Sequence, residues 1–127
     1  MNAPIRILLV EDRFLLRLAL RTTMELRAEL RIVAETDRGA EALDLCRRHQ
    51  PDVAVVDLGL AGMSGLEVLE AVRREWPSIR LIALSDGEES GQARRALGRG
   101  AEACLPADAG AEELVSAVLS AGEGRRG

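Results

Sequence analysis

Acidic residues follow two of the most apolar stretches of this 127-residue chain. Glu11 and Asp12 come directly after ILLV, and Asp57 comes directly after VAVV. A buried carboxylate without partners is costly, so these residues are either caps and turn residues or ligands of something that needs carboxylates. Three carboxylates brought together repel one another, and a hard divalent cation such as Mg²⁺ compensates that charge. With such a metal, Asp57 can act as a nucleophile toward a phosphoryl group and form an acyl phosphate.

The hydrophobic pattern predicts the elements that position these acids. Short apolar runs alternate with longer amphipathic segments, which indicates a βα unit repeated five times. The predicted strands are residues 5–10, 31–35, 53–57, 79–85 and 101–106, and the predicted helices cover about 13–26, 37–49, 65–75, 88–97 and a last segment from about 111. Ser64 and Glu67 form a predicted capping box before the third helix. This alternation is typical of an α/β protein with a doubly wound, flavodoxin-like (βα)5 sandwich around a five-stranded parallel sheet.

The predicted topology brings the acids to one place. In the usual strand order 2-1-3-4-5, the first and third strands are neighbours, and sites in such sheets lie outside the carboxyl ends of the strands. Glu11, Asp12 and Asp57 are therefore expected within a few ångströms of one another. A flavin site is not favoured, since the loop after the first strand reads EDRF rather than a phosphate-cradling sequence.

The segments ILLVED, VVDLGLAGMSGLEVL, LIALSD and GAEACLPADA closely resemble the receiver domain of bacterial two-component response regulators, the CheY-like superfamily. The resemblance covers nearly the whole chain and is strongest to receivers that precede a helix-turn-helix output domain. It implies that Asp57 is the phosphoacceptor and that Glu11 and Asp12 bind Mg²⁺. It also implies that Ser85 is the switch hydroxyl and that Gly59 offers its backbone carbonyl to the metal. Gly62 and Gly65 match the tight loop that follows the phosphoacceptor.

Three positions depart from the family pattern. Ala107 stands where receivers carry a lysine, and all 17 basic residues of the chain are arginine. Cys104 replaces the switch aromatic residue, and Ala61 replaces a loop proline. Arg13, next to the acidic pair, is a candidate to supply the missing positive charge.

Composition sets the remaining expectations. The net charge of −4 is spread along the chain, so direct contact of this segment with nucleic acid is not expected. Cys46 and Cys104 with the single His49 do not make a zinc site. With no candidate membrane span and no signal peptide at the N-terminus, the sequence predicts a cytoplasmic protein. Residues 1–122 are predicted to form the receiver domain and residues 123–127 a tail or the start of a linker.

Two functions follow from the resemblance. In the first, a sensor histidine kinase phosphorylates Asp57, and the surface of the fourth helix, fifth strand and fifth helix passes the signal to an output domain or partner protein. The alternative is an atypical receiver that acts as a phosphorylation-independent interaction module, because the lysine is replaced by Ala107. A phosphatase of the haloacid-dehalogenase type is disfavoured by Gly59, which stands where those enzymes carry a second Asp. The protein is not expected to be an enzyme beyond its own phosphotransfer and dephosphorylation; transcription regulation and homodimerisation are left open.

Overall fold

The computed structural model describes residues 3–86 and 91–126, without the side chains of residues 125 and 126. Five strands alternate with five helices. The strands are β1 Ile5–Val10, β2 Leu30–Thr36, β3 Val53–Asp57, β4 Arg80–Ser85 and β5 Ala101–Pro106. The helices are α1 Phe14–Glu25, α2 Gly39–His49, α3 Gly65–Glu75, α4 Gln92–Gly98 and α5 Ala111–Arg126.

All five strands are parallel and lie in the order β2-β1-β3-β4-β5. The predicted fold class and strand order are confirmed. Val10 pairs with Val56 across β1 and β3, and Ser85 pairs with Pro106 across β4 and β5. These registers bring the carboxyl ends of β1, β3, β4 and β5 to one edge of the sheet.

The sheet separates two apolar cores. Along β3, Val53 and Val55 face the core formed with α1 and α5, whereas Ala54 and Val56 face the core formed with α2, α3 and α4. Every β3 residue is buried. A strand covered on both faces needs apolar residues at consecutive positions, which explains the uninterrupted VAVV run.

Helix α3 begins with the predicted cap. The Ser64 hydroxyl accepts a hydrogen bond from the Glu67 backbone N–H at 3.2 Å, as a capping residue should. The Glu67 carboxylate accepts from the Ser64 hydroxyl rather than from the Ser64 backbone N–H. The cap therefore holds the start of α3 close to the end of β3.

Helices α4 and α5 differ most from the sequence-based bounds. The predicted start of α4 at Glu88 lies outside the described residues, and the described helix begins at Gln92. Helix α5 continues to Arg126, beyond the predicted boundary at residue 122. A Cβ at Gly122 would lie 2.5 Å from Ile5 Cδ1, so the helix packs closely on β1 there. Whether residues 123–127 serve as a tail or a linker stays a prediction.

None of the helices in the described part of the chain combines the length and apolar character needed to span a bilayer.

Candidate functional site at the carboxyl edge of the sheet

Asp57 ends β3 and is almost completely buried, with 1% of its surface exposed. Its Oδ1 accepts a hydrogen bond from the Gly59 backbone N–H at 2.9 Å. The next residue, Leu58, donates its N–H to the Leu84 carbonyl at 2.8 Å, which ties the end of β3 to β4. Asp57 is thus held by backbone contacts on a rigid strand end.

Gly65 allows α3 to start against this strand end. A Cβ at Gly65 would overlap the Asp57 carbonyl oxygen and lie 2.5 Å from Leu58 Cα. Gly62 has φ of 74°, a left-handed conformation that glycine adopts without strain. Both glycines therefore have a backbone role in the loop after Asp57.

Glu11 is fully buried beside Asp57. Its Oε2 accepts a hydrogen bond from the Arg13 backbone N–H at 3.0 Å. Its Oε1 is the one buried side-chain oxygen or nitrogen, among the described residues, with no hydrogen-bond partner. Burial, together with the nearby Asp57 carboxylate, raises the pKa of Glu11 to about 7, although contacts with Arg13 act in the opposite direction. An added cation would favour the ionised form of Glu11.

Asp12 points into the same cluster and is partly buried. Its Oδ2 accepts a hydrogen bond from the Ala61 backbone N–H at 3.1 Å. A proline at position 61 would have no N–H to donate. The replacement of the family's proline by Ala61 therefore links the loop after Asp57 to the acidic pair after β1.

The three carboxylates fit a divalent metal ion. One oxygen each of Glu11, Asp12 and Asp57 lies within 4.8 Å of the others. Hard cations such as Mg²⁺ bind carboxylate oxygens and retain several waters. The unpartnered Oε1 of Glu11 supplies a buried lone pair that such an ion would satisfy. The acidic cluster is therefore consistent with the magnesium site of receiver domains.

The Arg13 side chain lies across the cluster. Its Nη2 is 3.2 Å from Asp57 Oδ2, its Nε is 3.4 Å from Glu11 Oε2, and its Nη1 is 2.9 Å from Asp86 Oδ1. Asp86 directly follows β4. Its position after Ser85 places it at a strand end in the sequence, but the sequence pattern assigns it no role in the site.

Of the other predicted site residues, Ser85 and Ala107 lie at the same edge, whereas Cys104 lies within β5. Ser85 ends β4 with 5% of its surface exposed, and its carbonyl accepts the Ala107 N–H at 2.8 Å. Cys104 pairs with Ala83 in the sheet and packs against the core on the α2, α3 and α4 side. Position 107 thus adjoins Ser85 but presents only a methyl group.

The other cysteine has no place in the site. Cys46 is fully buried in α2, and burial raises the pKa of its thiol to about 12. A buried, protonated thiol packs as a small apolar group.

Comparison with known proteins decides the family. Residues 7–119 match the family model of the response regulator receiver domain. The chain belongs to this receiver family. The resemblance on which the site residues were predicted is confirmed at the level of the family.

The curated relatives of this receiver include a response regulator and a probable transcriptional regulatory protein. It is 33% identical to the nitrate/nitrite response regulator protein NarP of Escherichia coli, over 97% of this chain and 57% of NarP. It is 35% identical to the probable transcriptional regulatory protein NarL of Mycobacterium tuberculosis, over 95% of this chain and 56% of that protein. The receiver therefore spans little more than half the length of these relatives.

Among solved structures, response regulators and their receiver domains are likewise similar to this chain. The signal receiver domain of NarL from M. tuberculosis superposes with a TM-score of 0.89 at 33% identity, covering 97% of this chain and 99% of that one. A two-component response regulator of the LuxR family from Aurantimonas superposes with a TM-score of 0.89 at 31% identity, covering 97% and 88% of the respective chains. The likeness extends over the whole fold of the receiver.

Proposed function

We propose that this receiver accepts a phosphoryl group on Asp57 with Mg²⁺ bound by Glu11, Asp12, Asp57 and the Gly59 carbonyl. The observation that carries the proposal is the buried Asp57 carboxylate at the end of β3, within 4.8 Å of two other carboxylates. This cluster occurs in a chain of the receiver family, for which such chemistry is expected.

The chain's own residues supply the nucleophile and hold it. A carboxylate oxygen of Asp57 forms a new bond to phosphorus as the bond between phosphorus and the donor breaks, and its electron pair leaves with the donor. The Gly59 N–H keeps the carboxylate oriented through Oδ1. Bound Mg²⁺ supplies positive charge for the phosphoryl oxygens in this step.

Ser85 and Arg13 then contact the product. The phosphoryl group adds a charge of about −1.5 to −2. Ser85, buried at the end of the neighbouring strand, donates its hydroxyl to a phosphoryl oxygen. Arg13, already 3.2 Å from Asp57 Oδ2, provides the cation that Ala107 does not.

The signal passes to the surface formed by α4, β5 and α5. Ser85 and Pro106 are paired in the sheet, so movement at Ser85 is transmitted directly to β5. A sensor histidine kinase is the phosphoryl donor, and the receiver belongs to a longer cytoplasmic regulator with an output domain. Support for the output domain comes from relatives that extend well beyond the matched segment, one of which is a probable transcriptional regulatory protein by name. The receiver catalyses only its own phosphotransfer and dephosphorylation.

Intact mass spectrometry after incubation with acetyl phosphate and Mg²⁺ tests the phosphoacceptor. We expect the wild-type protein to gain the mass of one phosphoryl group and Asp57→Asn to gain none. Asp108→Asn is the matched control, because Asp108 is an exposed carboxylate that follows β5 at the same edge. No adduct on the wild type, or an adduct that persists in Asp57→Asn, contradicts the assignment.

Amide NMR spectra of the phosphorylated protein test the transmission. Shifts that extend from Ser85 through β5 to α5 are the expected result. Shifts confined to the site would separate the chemistry from its output and favour the phosphorylation-independent interaction module.

A further inference from the structure

Arg13 is positioned as a cation built into the acidic cluster. Its guanidinium nitrogens lie 3.4 Å from Glu11, 3.2 Å from Asp57 and 2.9 Å from Asp86. The planar guanidinium presents donors in several directions, so one side chain can serve three carboxylates from three strand ends.

The contacts of Arg13 fall on two of the three carboxylates that fit Mg²⁺. Asp57 has Oδ1 engaged by the Gly59 N–H and Oδ2 engaged by Arg13. Glu11 Oε2 accepts hydrogen bonds from both the backbone N–H and the Nε–H of Arg13. A positive charge at these distances lowers the attraction of the same oxygens for a second cation, particularly where burial reduces screening.

From this geometry we propose that Arg13 competes with Mg²⁺ for the cluster and lowers the affinity of the receiver for the metal. The inference rests on the proposed function, since it concerns the same Glu11, Asp12 and Asp57 site. In the metal-free domain Arg13 neutralises the cluster, and binding of Mg²⁺ displaces the guanidinium from Glu11 and Asp57.

Asp86 can remain the ion-pair partner of the displaced Arg13 side chain. Arg13 is 45% exposed and Asp86 is 61% exposed, so their ion pair lies at the open rim of the cluster. The guanidinium can leave the two buried carboxylates and keep Asp86 as its partner. It then remains within reach of a phosphoryl group on Asp57.

Isothermal titration calorimetry with MgCl₂ tests the competition directly. Arg13→Gln keeps a polar side chain and removes the charge, and it is expected to bind Mg²⁺ about tenfold more tightly than the wild type, as expected for removing one nearby unit charge. Arg13→Lys keeps the charge and is expected to bind close to the wild-type affinity. Adding Glu11→Gln to Arg13→Gln should abolish the gain.

Arg21→Gln is the matched control. Arg21 lies on α1, the helix that follows Arg13, and pairs with Glu35 outside the cluster, so its replacement changes the net charge equally. The Mg²⁺ affinity of Arg21→Gln should stay within about twofold of wild type, since the half-buried Arg21 contacts none of the three carboxylates of the cluster. An Arg13→Gln affinity equal to or weaker than that of the wild type overturns the inference, as does an equal gain in Arg21→Gln.

Phosphorylation by acetyl phosphate distinguishes failure of this inference from failure of the proposed function. An Asp57 adduct with unchanged Mg²⁺ affinity in Arg13→Gln overturns the competition and leaves the proposed function in place. Tighter Mg²⁺ binding in Arg13→Gln without any adduct on either protein supports the competition and overturns the phosphoacceptor assignment.

Discussion

At the scale of single residues, the charges around Asp57 are balanced by Arg13 rather than by a lysine. The chain contains no lysine, and Ala107 offers only a methyl group beside Ser85. Arg13, the residue directly before α1, reaches the Asp57 carboxylate at 3.2 Å. A guanidinium cannot give up its proton at physiological pH, so this positive charge is permanent.

Replacing Arg13 by alanine tests whether it assists phosphotransfer. At saturating Mg²⁺, where competition with the metal no longer matters, Arg13→Ala should slow phosphorylation of Asp57 by acetyl phosphate about tenfold. A charge-assisted hydrogen bond contributes roughly 1.5–3 kcal/mol, and the partial exposure of Arg13 places the effect at the lower end. Time-resolved intact mass spectrometry gives the rate, with Arg21→Ala as the control.

The lifetime of the adduct gives a second readout in the same experiment. If Arg13→Ala changes neither the rate of formation nor the lifetime of the adduct, Arg13 does not compensate for the absent lysine.

At the scale of secondary-structure elements, the junction between β3 and α3 determines where Asp57 is held. The Ser64 cap starts α3, and Gly65 lets the helix approach the Asp57 and Leu58 backbone more closely than any side chain would permit. Among α1 to α4, whose capping residues are described, α3 is the one helix with a side-chain cap. The helix start with a side-chain cap thus lies beside Asp57.

Gly65→Ala should therefore lower both stability and phosphorylation. The added methyl group would overlap the Asp57 carbonyl oxygen, and overpacking of this kind typically costs about 1–3 kcal/mol of unfolding free energy. Urea denaturation measures the stability, and the acetyl phosphate reaction measures the site.

Gly98→Ala is the control for this substitution. Gly98 lies at the end of α4, and no atom lies within 4 Å of a Cβ built there. Alanine has the higher helix propensity by about 1 kcal/mol, so stability should be unchanged or slightly increased. Equal stability losses in the two variants would contradict the close-approach explanation for Gly65.

At the scale of the whole molecule, the single sheet contributes side chains to both apolar cores. Leu8 and Leu9 are adjacent on β1, yet Leu8 belongs to the core with α2, α3 and α4, and Leu9 to the core with α1 and α5. Since every central strand contributes to both layers, neither layer can unfold while the other keeps its packing.

Leu8→Ala and Leu9→Ala should each lower the free energy of unfolding by about 2–5 kcal/mol. Trp76, the single tryptophan, packs against the Leu8 core. Within each variant, Trp76 fluorescence and far-ultraviolet circular dichroism should nevertheless report one and the same urea midpoint, as expected for a single cooperative unit. Leu26→Ala, at an 80% exposed position, should change stability by less than about 0.5 kcal/mol.

Separate midpoints for Trp76 fluorescence and circular dichroism in Leu9→Ala would show that the two layers unfold independently.

The order of elements and the location of the acids followed from the sequence alone. The bounds of β1, β3, α3 and β5 agree with their predictions, because apolar runs, the Ser64 cap and the glycines act over short distances along the chain. The parallel order then placed Glu11, Asp12 and Asp57 together, as general rules for such sheets require.

Only the tertiary structure decided which atoms meet. Arg13 contacts Asp57 across 44 positions, and the Ala61 N–H reaches Asp12 across 49. The pairing with Asp86 and the partnerless Oε1 of Glu11 were likewise outside the sequence pattern. Such contacts depend on side-chain rotamers and on the register of strands distant in sequence, and neither leaves a local signal in the chain.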